Sequence, residues 1–386
     1  MHYNTQIITR SLYIHWPFCP YKCHFCPFVA LASHDQFMER YHTALVSEIE
    51  QFVQAQAVQT SIQTIHFGGG TPSTYPPALL LDMFGILNKN FVIDPNAEIA
   101  LEVNPGTVSD EKIMAWRDAG INRLSIGVQS VNDKVLQSLN RHQTASQVYG
   151  LLDKVAPFFD NISIDLILGL PGISGDDWRA LIEQVMQWPI KHISIYFLTI
   201  HENTPLYFKV QANQVTLPAD EEIVSLYEYT CDVLASHGFE QYELSNFAKQ
   251  GYASRHNTAY WNRDTYKGFG IGACSFDGSM RFQNEKSIMR YMDLCEKKEH
   301  CTTFCETLTP KQVWLEVLML GLRRPQGIAL EDLLHTDAGM EASAQRFSSL
   351  ERLVRDGYIE YQGPNVRLTR RGLAVENEIL AQLAHI

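Results

Sequence analysis

Three cysteines fall within eight positions of "HWPFCPYKCHFCPF", residues 15–28: Cys19, Cys23 and Cys26. Four thiolates close a tetrahedral structural zinc site, so three in one tight loop leave a metal with one open position. Iron–sulfur clusters use the same residue type, because bridging sulfide and soft thiolate stabilise each other at iron. A cubane normally takes four protein thiolates, which leaves one iron here for another ligand. A zinc knuckle completed by His24 or His34 is the alternative. The other five cysteines are Cys231, Cys274, Cys295, Cys301 and Cys305. Cys231, in "LYEYTCDVLASHGF", reads as a helix-core residue. Cys301 and Cys305 make a C-x3-C pair that would need a second ligand pair to hold a metal.

Further polar groups interrupt apolar stretches. "HFGGGTPS", residues 66–73, removes side chains where a backbone must approach a ligand or where a tight turn is needed. Glu102 in "LEVNPG", Gln129 in "IGVQS" and Asp165 in "ISIDLILGLPG" each close an otherwise apolar run. A salt bridge would explain any one of them; three at three strand ends favour a shared ligand. "HNTAYW", His256 to Trp261, offers an imidazole able to ligate iron, an amide and two aromatics able to stack on a flat macrocycle. The bland reading of that histidine is a satisfied core residue.

These residues need elements to hold them. β-Branched runs recur near residues 10–16, 62–70, 97–106, 121–130, 161–172 and 191–200, six strands in all. Stretches such as "QFMERYHTALVSEIEQFVQ" and "SDEKIMAWRDAG" carry apolar residues at helical spacing and fit crossover helices. The fold class is therefore α/β, and the carboxyl ends of a parallel sheet or barrel form its ligand face. Beyond residue 200 a mixed region follows, with "FEQYELSNFAK" as a further strand. From residue 306 helices and the hairpin "GYIEYQGPNVRLT" outline a winged-helix-like α+β module, either a cap or a nucleic-acid reader. The expected domains are 1–205, 206–305 and 306–386.

Composition narrows the function. The 386 residues are 45% hydrophobic, enough for a sizeable core, and carry a net charge of -12, which argues against broad nucleic-acid binding and favours the cap. No run of 18 uncharged apolar residues occurs, and "MHYNTQIITR" lacks the apolar segment of a signal peptide, so the expected location is cytoplasmic. Eight cysteines in that setting point to metal or catalytic use rather than disulfides.

The C-x3-C-x2-C loop after "LYIHWPF" resembles the radical S-adenosylmethionine (radical SAM) superfamily. The resemblance implies an incomplete (β/α)6 TIM-like barrel and a [4Fe-4S] cluster on Cys19, Cys23 and Cys26. It also implies S-adenosyl-L-methionine chelating the fourth iron, and reductive cleavage of that cofactor to a 5'-deoxyadenosyl radical. It carries methionine-amino contacts to Gly69, Gly70 and Thr71. Tyr13, Glu102, Gln129, Asp165 and Arg141, the last in "LNRHQT", match one branch, that of oxygen-independent coproporphyrinogen III oxidase and the HemW-like haem chaperones, and are implied to contact S-adenosylmethionine. This likeness extends from about residue 11 to the winged-helix-like end.

Within the branch, the oxidases carry C-x3-C-x2-C-x-C and a long N-terminal extension; here Phe28 stands at the fourth position and about a dozen residues precede Tyr13. The H-N-x-x-Y-W motif resembles the chaperone-like group and implies haem, with His256 as its ligand. The expectation is a haem-binding, haem-delivering protein whose partners are haem, an acceptor protein and an electron donor. No nucleic acid is expected; transient membrane contact is compatible with haem donation, although nothing encodes an anchor. The rivals are oxidative decarboxylation of two coproporphyrinogen III propionates to vinyl groups, a radical methyltransferase that opens haem anaerobically, and, last, a structural zinc protein.

Overall fold

The structure, a computed structural model, describes residues 8–56, 60–334 and 340–384, with the backbone alone for 340–344. Six strands follow the expected runs: β1 (Ser11–Trp16), β2 (Ser61–Gly69), β3 (Val92–Val103), β4 (Arg123–Gln129), β5 (Asn161–Leu168) and β6 (His192–Phe197). Each pairs in parallel with the next. Crossover helices α1 (Met38–Ala55), α2 (Pro77–Asn90), α3 (Asp110–Asp118), α4 (Ala145–Val155) and α5 (Gly175–Val185) join them, and α6 (Asp220–Ser236) follows β6. Helices start where the sequence supplies caps: Ser109 accepts from the Lys112 N–H, and Thr144 with Gln147 and Ser174 with Asp177 form reciprocal capping boxes.

Alternation along the strands decides which face goes where. Ile14 and Trp16, Ile65 and Phe67, Leu101 and Val103, Leu124 and Ile126, Ile162 and Ile164, Ile193 and Ile195 take one phase and join a single core under the helices. Burying each such side chain stabilises the fold by roughly 1.5–3 kcal/mol. The opposite phase is polar: Tyr13 and His15, Thr64 and His66, Glu98 and Glu102, Arg123 and Ser125, Ser163 and Asp165, His192 and Ser194. That face lines the inside of the curved sheet, and its groups bond to one another there.

The barrel does not close on itself. A parallel strand, β7 (Tyr266–Phe269), adds to the free edge of β1 and continues into three antiparallel strands, while the short strand Asn246–Ala248 adds antiparallel to β6. The mixed region thus extends the sheet at both edges. "FEQYELSNFAK" is two short strands, Glu240–Gln241 and Asn246–Ala248, rather than one. On the β7 side Glu48 ties the addition down, accepting from Lys267 Nζ at 3.2 Å, the Gly270 N–H at 2.9 Å, Asn284 at 2.8 Å and Tyr291 at 2.7 Å.

The floor of the barrel is plugged by α7 (Arg255–Trp261), which is the HNxxYW segment. Glu98 inside the barrel accepts from Ser254 Oγ at 3.3 Å, the Arg255 N–H at 3.1 Å and the His256 N–H at 3.0 Å, and Arg123 lies 4.0 Å away. A buried carboxylate at a helix start satisfies orphan donors and the helix dipole together.

The C-terminal unit has its own core of Trp314, Leu318, Leu333, Leu350 and Val366. Its strands Ile328–Ala329, Ile359–Gln362 and Asn365–Leu368 form a three-stranded sheet beside helices Pro310–Leu322 and Met340–Arg355, the winged-helix-like outline. It is held to the main unit by Glu316, which bridges Arg263 at 2.9 Å and Arg281 at 2.7 Å. Cys231 is buried in α6, as expected. Cys301 lies against Cys295, with sulfurs 3.1 Å apart, so the C-x3-C spacing to Cys305 does not make a ligand pair.

Removing the Glu98 carboxylate leaves the Ser254 hydroxyl and the α7 amides buried without their acceptor and the buried Arg123, which donates to Asn161 and the Tyr252 carbonyl, without its counter-charge. Glu98→Ala should cost about 3 kcal/mol of stability. Glu98→Gln, which keeps one acceptor, should cost clearly less. Denaturant unfolding measures both; a loss below about 1 kcal/mol for the alanine variant would remove the floor from this account.

Candidate functional site

A cavity of about 500 Å³ opens where the six strands end. Parallel strands deliver their C-terminal ends to one rim, so loops far apart in sequence meet there. Cys19, Cys23, Cys26, Gly69, Gly70, Thr71, Glu102, Gln129, Arg141 and Asp165 all line it.

The cysteine loop leaves β1 and is pinned at both ends. Phe18–Cys19 pairs with Leu31–Ala32, the His24 N–H donates to the Leu139 carbonyl at 2.9 Å, and the His24 carbonyl accepts from the Leu206 N–H at 3.0 Å. Thr71 Oγ1 donates to Cys19 Sγ at 3.2 Å, and the Arg141 guanidinium sits 3.6 Å from Cys23 Sγ. Burial pushes the Cys19 thiol up to about 11, against the lowering hydrogen bond from Thr71, and raises Cys26 as well. Metal binding must therefore displace protons, as it does at thiol sites generally. The imidazole expected to complete a zinc knuckle is engaged elsewhere: His24 Nδ1 meets the Ser138 carbonyl at 3.2 Å and Lys209 Nζ at 3.2 Å, and His34 Nδ1 meets the Ala32 carbonyl at 2.6 Å. Among the described residues no three His, Cys, Asp or Glu side chains converge closely enough for one metal ion. A cubane spreads its ligands over several irons, and three thiols around a void suit it better.

The glycines after β2 are sterically required. Gly69 has φ +118, and a Cβ there would fall 2.6 Å from the His15 ring. A Cβ on Gly70 would strike the Pro17 carbonyl and come within 3.1 Å of Cys19 Sγ. The bare backbone is therefore pressed against the cysteine loop, leaving Thr71 to face the thiol.

Glu102 accepts from the Gly69 N–H at 3.2 Å and from His66 Nε2 at 3.1 Å, so one carboxylate fixes the glycine turn to β3. Gln129 sits past a register shift between β4 and β5, at φ +65. A bulge of this kind re-aims a side chain. Its Oε1 is buried without a partner among the described residues, as is His66 Nδ1. Of the two, Gln129 lines the cavity, and an unpaired acceptor there asks for a donor from a ligand; the ammonium and hydroxyl groups of S-adenosylmethionine are donors, so the lining fits that cofactor. Arg141 directs Nη2 to the Gly127 carbonyl and Nε to Gln143 at 3.0 Å, so it braces the cysteine loop against β4.

Two expected residues lie elsewhere. Tyr13 is one layer down: it stacks on His66 with rings 15° apart, bonds His15 at 3.1 Å and does not line the cavity. His256 is 1% exposed on the barrel floor, with Nδ1 2.7 Å from Thr64 Oγ1 and Nε2 2.8 Å from Tyr260 OH, and burial lowers its pKa strongly. Both ring nitrogens are engaged, so this arrangement presents no free ligand atom; the bland reading of the motif histidine describes it. Conversely, Ser125, Tyr196 and His201 line the cavity although they lie outside the residues expected there. Ser125 and Tyr196 share the inward phase of Asp165, a signal present in the alternation of "RLSIGVQ" and "HISIYF".

Burial pushes the Asp165 carboxyl up to about 6, helped by the charge of Glu102 and opposed by hydrogen bonds from Ser194 and Ser125. The folded chain thus holds a proton that the unfolded chain releases near the ordinary value of 3.8. Stability of the cofactor-free protein falls as pH rises through that window and stays lower above it. Asp165→Asn should be more stable than the parent at pH 8 by about 1–2 kcal/mol, discounted because the group lines an open cavity, and equal to it below pH 4. Urea unfolding across pH 4–8 measures the difference; a pH-independent difference would refute the raised pKa.

Comparison with known proteins sets the geometry in a family. Residues 13–185 match the model of the Radical SAM superfamily, and residues 308–375 match the HemN C-terminal domain. A Bacillus subtilis protein named heme chaperone HemW is 32% identical over 374 residues, 96% of this chain and 98% of its own length. The Danio rerio mitochondrial radical S-adenosyl methionine domain-containing protein 1 is 30% identical, over 97% of this chain and 87% of its own. The structure of coproporphyrinogen III oxidase HemN from Escherichia coli, a radical SAM enzyme, superposes with a TM-score of 0.81 at 22% identity, covering 99% of this chain and 91% of that one. That match shows the fold. On sequence kinship spanning nearly its whole length, the chain belongs to the radical SAM superfamily and, within it, to the family of the haem chaperone HemW.

Proposed function

We propose that this chain binds haem and passes it to an acceptor protein, with a [4Fe-4S] cluster on Cys19, Cys23 and Cys26 and S-adenosylmethionine in the same cavity. The observation that carries the reading is the near full-length kinship to proteins named heme chaperone, together with Phe28 where the oxidases place a further cysteine. The HemN likeness speaks to fold, so the oxidase and methyltransferase alternatives are not favoured.

When bound and reduced, the cluster supplies the electron that cleaves the sulfonium of S-adenosylmethionine. The chain's own residues set the environment. The Thr71 hydroxyl and the Arg141 guanidinium stabilise negative charge on Cys19 and Cys23. Gly69 and Gly70 let the backbone approach, while Gln129 Oε1 and the carboxyls of Glu102 and Asp165 receive donors of the cofactor. Acceptor and electron donor are protein partners of unassigned identity. Among the described residues no helix is long and apolar enough to cross a membrane.

The test is anaerobic haem titration of reconstituted protein with and without S-adenosylmethionine, followed by mixing with a haem-free globin and a coproporphyrinogen III assay on the same sample. Haem uptake and release without porphyrinogen turnover is expected; turnover with no haem uptake would overturn the proposal. Serine at Cys19, Cys23 or Cys26 should each cut cluster iron to below about a tenth of the parent, as loss of one of three ligands demands. Gln129→Leu should retain iron yet raise the S-adenosylmethionine Kd about tenfold by calorimetry, the worth of one hydrogen bond. Unchanged affinity would remove Gln129 from the site.

A further inference from the structure

Haem iron needs a lone pair on an accessible atom beside a flat, largely apolar surface. His256, on the barrel floor, offers neither. Of the other inward histidines, His15 bonds Tyr13 and the Val29 carbonyl, His192 bonds Ser163 and Tyr242, and His66, whose Nδ1 has no partner among the described residues, has that atom buried and does not line the cavity. His201 differs. It is exposed, its imidazole has no hydrogen-bond partner among the described residues, and it is the one histidine among the residues that line the cavity.

The position of His201 is nevertheless fixed. Its carbonyl accepts from Thr204 Oγ1 at 2.7 Å and from the Thr204 N–H at 3.3 Å, and Thr204 caps the helix Pro205–Gln211. The backbone is held and the ring is free. The same cavity is lined by two large aromatics that remain open to solvent, Phe28 at 65% and Tyr196 at 43% exposure, and by Lys22, a cation for a carboxylate. Exposed aromatics at a cavity entrance are what a planar macrocycle covers.

Resting on the haem-binding reading, we propose that an iron porphyrin docks across the cavity entrance with His201 as its iron ligand, Phe28 and Tyr196 against its plane and Lys22 toward a propionate. Ligation is donation of an imidazole nitrogen lone pair to ferric iron, with no change of oxidation state. Haem and S-adenosylmethionine then share one cavity, and each alters the affinity of the other by the same factor.

The experiment is a titration of ferric haem into reconstituted parent protein and into His201→Ala, His201→Gln and His256→Gln, followed by the Soret band, with circular dichroism and iron content as controls. The two His201 variants should bind haem at least tenfold more weakly with a displaced Soret band, and added imidazole should restore the parent spectrum to His201→Ala. His256→Gln should keep the parent band. Haem binding by the parent with His201→Ala indistinguishable from it, or loss of the band in folded His256→Gln, would overturn the assignment and leave the haem-binding reading standing. A parent protein that binds no haem would overturn both.

Discussion

A barrel with a polar interior stands only if each inward donor and acceptor finds a partner, and that requirement organises this molecule. At the floor most of the demand is met by protein, although Trp261 Nε1 of α7 is left over among the described residues. Glu98 serves three donors from the start of α7, Thr64 and Tyr260 occupy both nitrogens of His256, and Ser163 and Tyr242 occupy both of His192. Toward the rim the supply ends: Gln129 Oε1 is left over at the cavity wall, and His66 Nδ1 is left over in the layer beneath. Of these leftover atoms, Gln129 Oε1 is the one whose residue lines the cavity, where a small molecule can supply the missing donor. Fold and cofactor site are two ends of one hydrogen-bond column.

The column also gives the HNxxYW segment a role that needs no exposed ligand atom. As α7 it stoppers the barrel, and its His256 ring stacks on His66, with planes 20° apart, which in turn holds Glu102. A motif more than 150 residues from the glycine turn is thus three contacts away from it, through His66 and Glu102. Changes at the floor can reach the rim through packed rings rather than through any bound group.

Much of this was legible in the sequence, because it depends on short-range pattern. Six strands, their crossover helices and the shared rim follow from period-two and period-3.6 alternation, and the residues gathered there include Cys19, Gly70, Glu102, Gln129 and Asp165, as the strand-end argument requires. What escaped depends on depth and register. Nothing in "LYIHWPF" says that Tyr13 lies one layer beneath the cavity, since that follows from its pairing opposite His66. Nor does "HNTAYW" say which way its helix enters the barrel; the deciding partner, Glu98, is remote in sequence. His201 follows a strand in an unremarkable loop, and only the folded chain brings it beside the cysteines.

Residue 129 is pulled two ways. A left-handed backbone costs a non-glycine residue about 1 kcal/mol or more, and an unpaired buried oxygen adds to that, so the empty protein would gain by relaxing this position to glycine. The occupied protein would lose its acceptor. Selection for thermal robustness and selection for cofactor retention therefore oppose each other here, and a variant library screened for heat resistance alone would drift away from a working site.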